Sequence, residues 1–266
     1  MNIALLQLPT MSSLDSRFEA YLQACKKQKA HIAVLGEYVL NPFFREFGTN
    51  CSKEMISSIS HKLLASLKKQ SKKHRLDIVA PLLLGGENPL ENPKQAKLYK
   101  SIALIQGDSV AIYRQQRLIA YPHWNEQKFF DNPKRALREG LIFEKEGLKI
   151  AIIAGFEVHF DEIWLRLKKA GVDVVLMPCS NTFSSKARWR MLCQMRAFTN
   201  SRAIVRANRV GEGYYDEAQW RFYGDSLYVN ASGEIEENLS DREGILLLSI
   251  DRGQIAQIKQ EWGFRI

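Results

Sequence analysis

Short apolar runs recur along this chain, and their lengths constrain the fold more than any other feature. NIALLQL (residues 2–8), IAVLG (32–36), DIVAPLLLG (77–85), LKIAIIA (148–154), DVVLMPC (173–179) and AIVRAN (203–208) have the length and content of buried strands. Between them lie segments whose apolar residues fall at helical spacing. Leu14, Phe18, Tyr21, Leu22 and Cys25 make one such stripe, and Met55, Ile56, Ile59, Leu63, Leu64 and Leu67 make another across 53–70. LKIAIIA, a helix over about 161–170 stopped by Gly171, and DVVLMPC together predict a βαβ unit. A long helix over about 185–201 leads into AIVRAN. Strands alternating with helices predict an α/β protein.

The remainder is punctuated by turns. YKSIALIQGDSVAIYR (99–114) reads as a hairpin turning at Gly107-Asp108, and short strands are expected near 226–230 and 245–250. GENPLENPKQAK (86–97) is an Asn- and Pro-rich loop, and 115–140 is irregular and aromatic. No repeat, linker or shift in composition divides the chain, so one domain over 1–266 is expected.

Composition excludes several classes. Hydrophobic residues make 45% of the 266 and charged residues 25%, a globular rather than a disordered profile. No apolar run approaches the roughly 18–20 residues of a membrane span, and MNIALLQLPT lacks the basic region and cleavage site of a signal peptide, so a cytoplasmic protein is expected. Cys25, Cys51, Cys179 and Cys193 form no CxxC pair and have no histidine at zinc-finger spacing, which points to neither disulfides nor a metal. The net charge of +9 concentrates in KKQK (26–29) and KKQSKKHR (68–75), at the tails of helical patterns where cations complement the dipole. No nucleic-acid motif accompanies that charge.

In α/β sheets, side chains leaving the carboxyl ends of strands share a crevice, and chemistry collects there. Glu37 follows IAVLG, Arg114 and Gln115 end SVAIY, Gly155 to Glu157 follow LKIAIIA, and Cys179 to Asn181 end DVVLMP. A carboxylate, a cation, an acid beside a glycine and a thiol are the materials of acyl transfer. Each also has an ordinary explanation: Glu37 as a solvated loop acid, Cys179 as a small buried hydrophobe, and His123 and His159 as surface histidines.

In their order and spacing, NIALLQL, IAVLGEY, YKSIALIQGDSVAIYRQQRL, AIIAGFEVHFDE, DVVLMPCSNTF, RWRMLCQMRAFTNSRAIVRANRVG and FYGDSLYVNASGEI resemble the nitrilase, or carbon-nitrogen hydrolase, superfamily along nearly the whole chain. The resemblance implies a four-layer α-β-β-α sandwich, dimerised through a helical face. It also implies a glutamate base, a lysine supporting an oxyanion, a cysteine nucleophile and an assisting second glutamate. A thiolate would attack an amide or nitrile carbon while carboxylate and ammonium handle protons and charge.

Carried over by position, Glu37 matches the base and Glu126 in HWNEQKFF the assisting acid. The lysine position is Gln115, with Arg114 one residue earlier, and the cysteine position before Phe156-Glu157 is Gly155. Two departures in one constellation argue against a slip of alignment and against a single engineered inactivation. The resemblance thus implies a homologue, inactive or weakly active, that binds a small amide, nitrile or amine-like ligand. Its contacts would come from Glu157, His159, Tyr121, Trp124 and Asn181 beside the catalytic positions. It is expected to form a homodimer or higher homo-oligomer, without cofactor, metal or membrane. The alternative is a working amidase that uses Cys179, with Arg114 or Arg188 lowering its pKa, or a water activated by Glu37. A basic nucleic-acid-associated protein is the minor alternative. Tyr121, Trp124, Phe129 and Phe130 in 119–133 would form either a lid over the pocket or a plug at the sandwich edge or dimer contact.

Overall fold

Within each apolar run, alternate side chains leave the strand on opposite faces, and both faces here are apolar, so each strand needs cover on two sides. The computed structural model shows what supplies it, describing residues 1–12, 15–47, 51–86, 97–215 and 217–263. The strands are β1 (Asn2–Gln7), β2 (Ile32–Leu35), β3 (Asp77–Gly85), β4 (Leu98–Gln106), β5 (Ser109–Arg114), β6 (Ala120–Tyr121), β7 (Trp124–Asn125) and β8 (Leu141–Lys145). They continue with β9 (Leu148–Ile152), β10 (Val174–Cys179), β11 (Ala203–Asn208), β12 (Val210–Tyr215), β13 (Ala218–Tyr223), β14 (Ser226–Val229), β15 (Ile235–Leu239) and β16 (Gly244–Ser249). The helices are α1 (Ser16–Lys27), α2 (Lys53–His74), α3 (Asp161–Lys169), α4 (Lys186–Asn200) and α5 (Arg252–Trp262).

Two six-stranded sheets, ordered β16-β1-β2-β3-β4-β5 and β15-β14-β11-β10-β9-β8, pack face to face. Their shared core takes Ile3 and Leu5, Ile32 and Val34, Ile102 and Leu104 from the first sheet, and Ile150 and Ile152, Val174 and Leu176, Ala203 and Val205 from the second. The opposite parity faces outward. Ala4, Leu6, Ala33, Leu35 and Ile78 meet Phe18, Leu22 and Cys25 of α1 and Leu63, Leu64 and Leu67 of α2. Ala151, Ile153, Val175 and Met177 meet Ile163, Trp164 and Leu167 of α3 and Cys193 and Ala197 of α4. The result is the expected four-layer α-β-β-α sandwich. Among the described residues, no helix is long and apolar enough to cross a membrane.

The expected strands and helices all appear, with α2 running on to His74 where the stripe alone suggested an end near residue 70. Leu14 and the expected loop's residues 87–96 lie outside the described residues. The hairpin β12–β13, the edge strands β8 and β15, and α5 were not signalled. Their weak signal has a physical cause: β15 reads IEENL and is mostly solvated, and α5 buries only Ile255 and Ile258.

Candidate functional site

The ends of β2 and β10 touch, because Gly36 lets them. A Cβ on Gly36 would lie 2.8 Å from Arg209 N and 3.1 Å from Cys179 O, closer than atoms tolerate, so only glycine permits the approach. The next residue profits: Glu37 N donates to Cys179 O at 2.9 Å, and its side chain enters a buried polar cluster. Lys100 Nζ donates to Glu37 Oε2 at 3.0 Å and to Glu126 Oε1 at 2.6 Å. Tyr38 OH donates to Glu126 Oε1 at 2.9 Å, Ile119 N donates to Glu126 Oε2 at 3.2 Å, and the Lys100 ammonium lies 4.9 Å from the Tyr38 ring centre. Tyr38 holds φ at +58°, a backbone state that costs a non-glycine residue and that these contacts keep in place.

Two carboxyls and one ammonium share this buried space, so the charges cannot all be independent. Burial pushes the Glu37 carboxyl up to about 7, with Lys100 pulling it down and Glu126 pushing it further up. Burial on its own would lower the Lys100 pKa, but the fields of Glu126 and Glu37 overcome it and raise the ammonium above its ordinary range. Glu37 is therefore poised to exchange a proton near neutrality while Lys100 stays charged.

Lys100 is the residue that sequence reasoning missed. It lies on β4 in parity with Ile102 and Leu104, both facing the second sheet, and Gln115 stands across from it, with Gln115 N donating to Lys100 O at 3.0 Å. The resemblance expects a cation at 115, and the structure places the Lys100 ammonium on the neighbouring strand. The signal was available: a lysine in step with two inward-facing apolar residues is a buried lysine. Gln115 is itself buried, its amide donating to Arg117 O at 2.6 Å. Arg114 leaves the strand elsewhere, stacking 4.0 Å over Tyr99 and donating to Gly86 O at 2.7 Å, outside the Glu37–Lys100–Glu126 cluster.

Gly155 opens a short 3-10 turn (Gly155–His159) after β9. A Cβ there would fall 2.5 Å from Cys179 Sγ, so that sulfur fills the space where a side chain at 155 would begin. Cys179 shares outward parity with Met177, packs with Cys193 and Ala197 beneath the helices, and is 1% exposed. Burial drives its pKa well above the ordinary thiol range, despite the opposing field of Arg206. Glu157, expected against a ligand, turns inward instead. Its Oε2 accepts from Tyr113 OH at 2.6 Å and Ala154 N at 2.9 Å, and its Oε1 from Gln116 N at 2.5 Å and Arg117 N at 3.3 Å. Four donors occupy this carboxylate, which ties the end of β5 to the turn after β9.

Beside the cluster lies a cavity of about 560 Å³, whose wall includes Tyr121, Trp124, His159 and Asn181, four of the expected ligand contacts. The cluster sits one step behind this wall: Ser180, which lines it, follows Cys179, and Trp124 precedes Glu126 by two residues. Ser180 Oγ, Asn181 Oδ1, Trp124 Nε1 and Glu37 Oε1 are buried without a protein partner. Buried polar atoms left unpaired are costly, and the three on residues that line this cavity, Ser180, Asn181 and Trp124, mark where a polar ligand would be rewarded. Tyr121 lies at the cavity mouth, whereas Phe129 and Phe130 pack against Phe44, so the aromatic segment is part lid and part plug.

The profile of the carbon-nitrogen hydrolase family matches residues 2–260. This chain belongs to that family. Among relatives, the human omega-amidase NIT2 is 22% identical over 97% of this chain and 91% of its own length. N-carbamoylputrescine amidase of Arabidopsis thaliana is 26% identical over 62% of this chain, a match that spans 59% of the plant protein. A carbon-nitrogen hydrolase from Helicobacter pylori G27 superposes with a TM-score of 0.84 at 20% identity, covering 99% of this chain and 94% of the other. An amidase from Nesterenkonia sp. superposes with a TM-score of 0.75 at 19% identity, over 98% and 96% of the two chains. At such identities the superpositions speak to the fold. For a carbon-nitrogen hydrolase, the substrates are small amides or nitriles, and the cavity has a matching scale.

Proposed function

We propose that this carbon-nitrogen hydrolase homologue is a pseudoenzyme that binds a small amide, nitrile or amine-like ligand without covalent catalysis. The observation that carries this reading is the Gly155–Cys179 contact. The strand end where a nucleophile would be presented has no side chain, and the sulfur filling that space is a buried thiol held in its neutral form. Glu37, Lys100 and Glu126 then form a buried polar cluster behind the cavity wall. Deleting the nucleophile of a comparable catalytic triad costs about a million-fold in turnover.

A second reading, a working amidase, is favoured by Glu37, whose pKa of about 7 suits a base that activates water. Ammonia release over a panel of amides, nitriles and N-carbamoyl compounds separates the two, comparing the natural protein with Glu37→Ala and Cys179→Ser. No release supports the pseudoenzyme. Release lost in both variants assigns the nucleophile to Cys179, and release lost only in Glu37→Ala assigns it to water.

The same proposal places the protein in the cytoplasm, where its four free cysteines would stay reduced. It also makes the protein a homodimer through α4, whose exposed Met191, Met195 and Phe198 form an apolar stripe at helical spacing. Met195→Glu with Phe198→Glu should shift the sedimenting species to half its mass. An unchanged mass in the double variant would remove α4 from the interface.

A further inference from the structure

Six rings pass hand to hand around the cavity. Phe183 meets His123 at 5.3 Å between ring centres, His123 meets Tyr121 at 5.7 Å, and Tyr121 meets Phe156 at 5.9 Å. Phe156 meets His159 at 5.3 Å, and His159 meets Trp189 at 5.1 Å. All six line the cavity, and the first and last flank the start of α4, so the chain of rings closes into a horseshoe around a space of about 560 Å³. The carbonyl of Phe156 accepts from His159 Nδ1 at 2.8 Å, which fixes that ring's orientation.

The open ends of this wall are polar in different ways. Ser185 precedes α4 and lines the cavity, so the positive end of a 15-residue helix faces this space. No acid occupies the first turn of α4. Lys186 and Arg190 both pair with Asp225, whereas Arg188, at the cavity edge, has no partner among the described residues. In the wall stand Ser180 and Asn181, 5% and 8% exposed, whose Oγ and Oδ1 have no protein partner. One end of the cavity therefore favours an anion, the middle favours a flat π surface, and the wall at 180–181 favours a neutral group that both donates and accepts.

We infer that the ligand is an aromatic carboxylate carrying a primary amide. Its ring lies within the six-ring horseshoe, its carboxylate at Arg188 and the start of α4, and its amide on Ser180 and Asn181. The inference rests on the proposed ligand-binding role of this same cavity and adds the ligand's chemistry. A small aliphatic amide would leave the ring wall unfilled, and an uncharged aryl amide would leave Arg188 unused.

Calorimetric titration with three probes tests it. They are 4-(carbamoylmethyl)benzoate, which has all three features, phenylacetamide, which lacks the acid, and the monoamide of glutarate, which lacks the ring. The first should bind at least tenfold more tightly than either of the others. Arg188→Gln should weaken the first about tenfold and leave phenylacetamide unchanged, while Trp189→Ala should weaken both aryl probes and not the glutarate monoamide. Unchanged melting curves for both variants would show that the fold is intact. Glutarate monoamide binding as tightly as the aryl acid, no binding by any probe at millimolar concentration, or an indifferent Arg188→Gln would each overturn the inference. Ammonia is assayed in the same samples. Its release from a tightly bound aryl amide would refute the pseudoenzyme reading and leave the ligand class standing.

Discussion

Gly155 and Cys179 should behave as one packed unit, and Gly155→Ala reads that coupling directly. The added methyl would sit 2.5 Å from Cys179 Sγ, 2.9 Å from Pro178 O and 3.2 Å from Cys179 Cα. A thiol on a short side chain in a packed core has little room to retreat, and a strand carbonyl has less. Such overpacking costs about 1–3 kcal/mol. For a chain of this size that lowers the melting temperature by roughly 2–4 °C per kcal/mol. Cys179→Ala alone removes a buried sulfur and should cost about 1 kcal/mol. In the double variant the shortest contact has vanished, although those to Pro178 O and Cys179 Cα persist, so relief is partial. The cycle should show a favourable coupling of about 1 kcal/mol, measured by urea unfolding of all four proteins. A coupling below about 0.3 kcal/mol, the scatter expected of independent sites, would mean that the sulfur does not occupy the space beside Gly155.

Lys100→Gln leaves two buried carboxyls without their cation and should cost about 3–5 kcal/mol, and Gln115→Lys in the same chain should restore most of it by returning the ammonium across the hairpin; urea midpoints of the single and double variants check this. The folded pKa of Glu37, about 7, stands above its ordinary 4.5, so the folded protein retains a proton that the unfolded chain releases between these values. Its contribution to stability therefore falls as pH rises from about 4.5 to about 7 and is level above, a slope that Glu37→Gln should lack when unfolding midpoints are compared at pH 5, 6, 7 and 8. Gly155→Cys combined with Cys179→Ala should place a thiol at the strand end, and peptide mapping after iodoacetamide should find residue 155 labelled at least tenfold faster than Cys179 of the natural protein.

The order of the buried strands and of α1 to α4, the ends of the apolar runs, Glu37 at one of them and the bare Gly155 at another were legible in the sequence, whereas β8, β12, β13, β15 and α5 were not. The legible features depend on patterns a few residues long: period 2, period 3.6 and the residue that ends a run. Lys100 was hidden for a different reason. Parity along β4 marks it as inward-facing, but only the pairing of β4 with β5 brings it opposite Gln115, and only the strand order β2-β3-β4 within the sheet brings its ammonium to Glu37. The roles of Cys179 and Glu157 also waited on tertiary structure. One is set by which face of β10 meets the helices, the other by four donors from two separate segments. Local sequence thus determined which residues stand at the strand ends. Strand order within each sheet and the approach of the two sheets decided which of them meet, because distances between segments far apart in the chain follow from pairing and packing and not from any period within a segment.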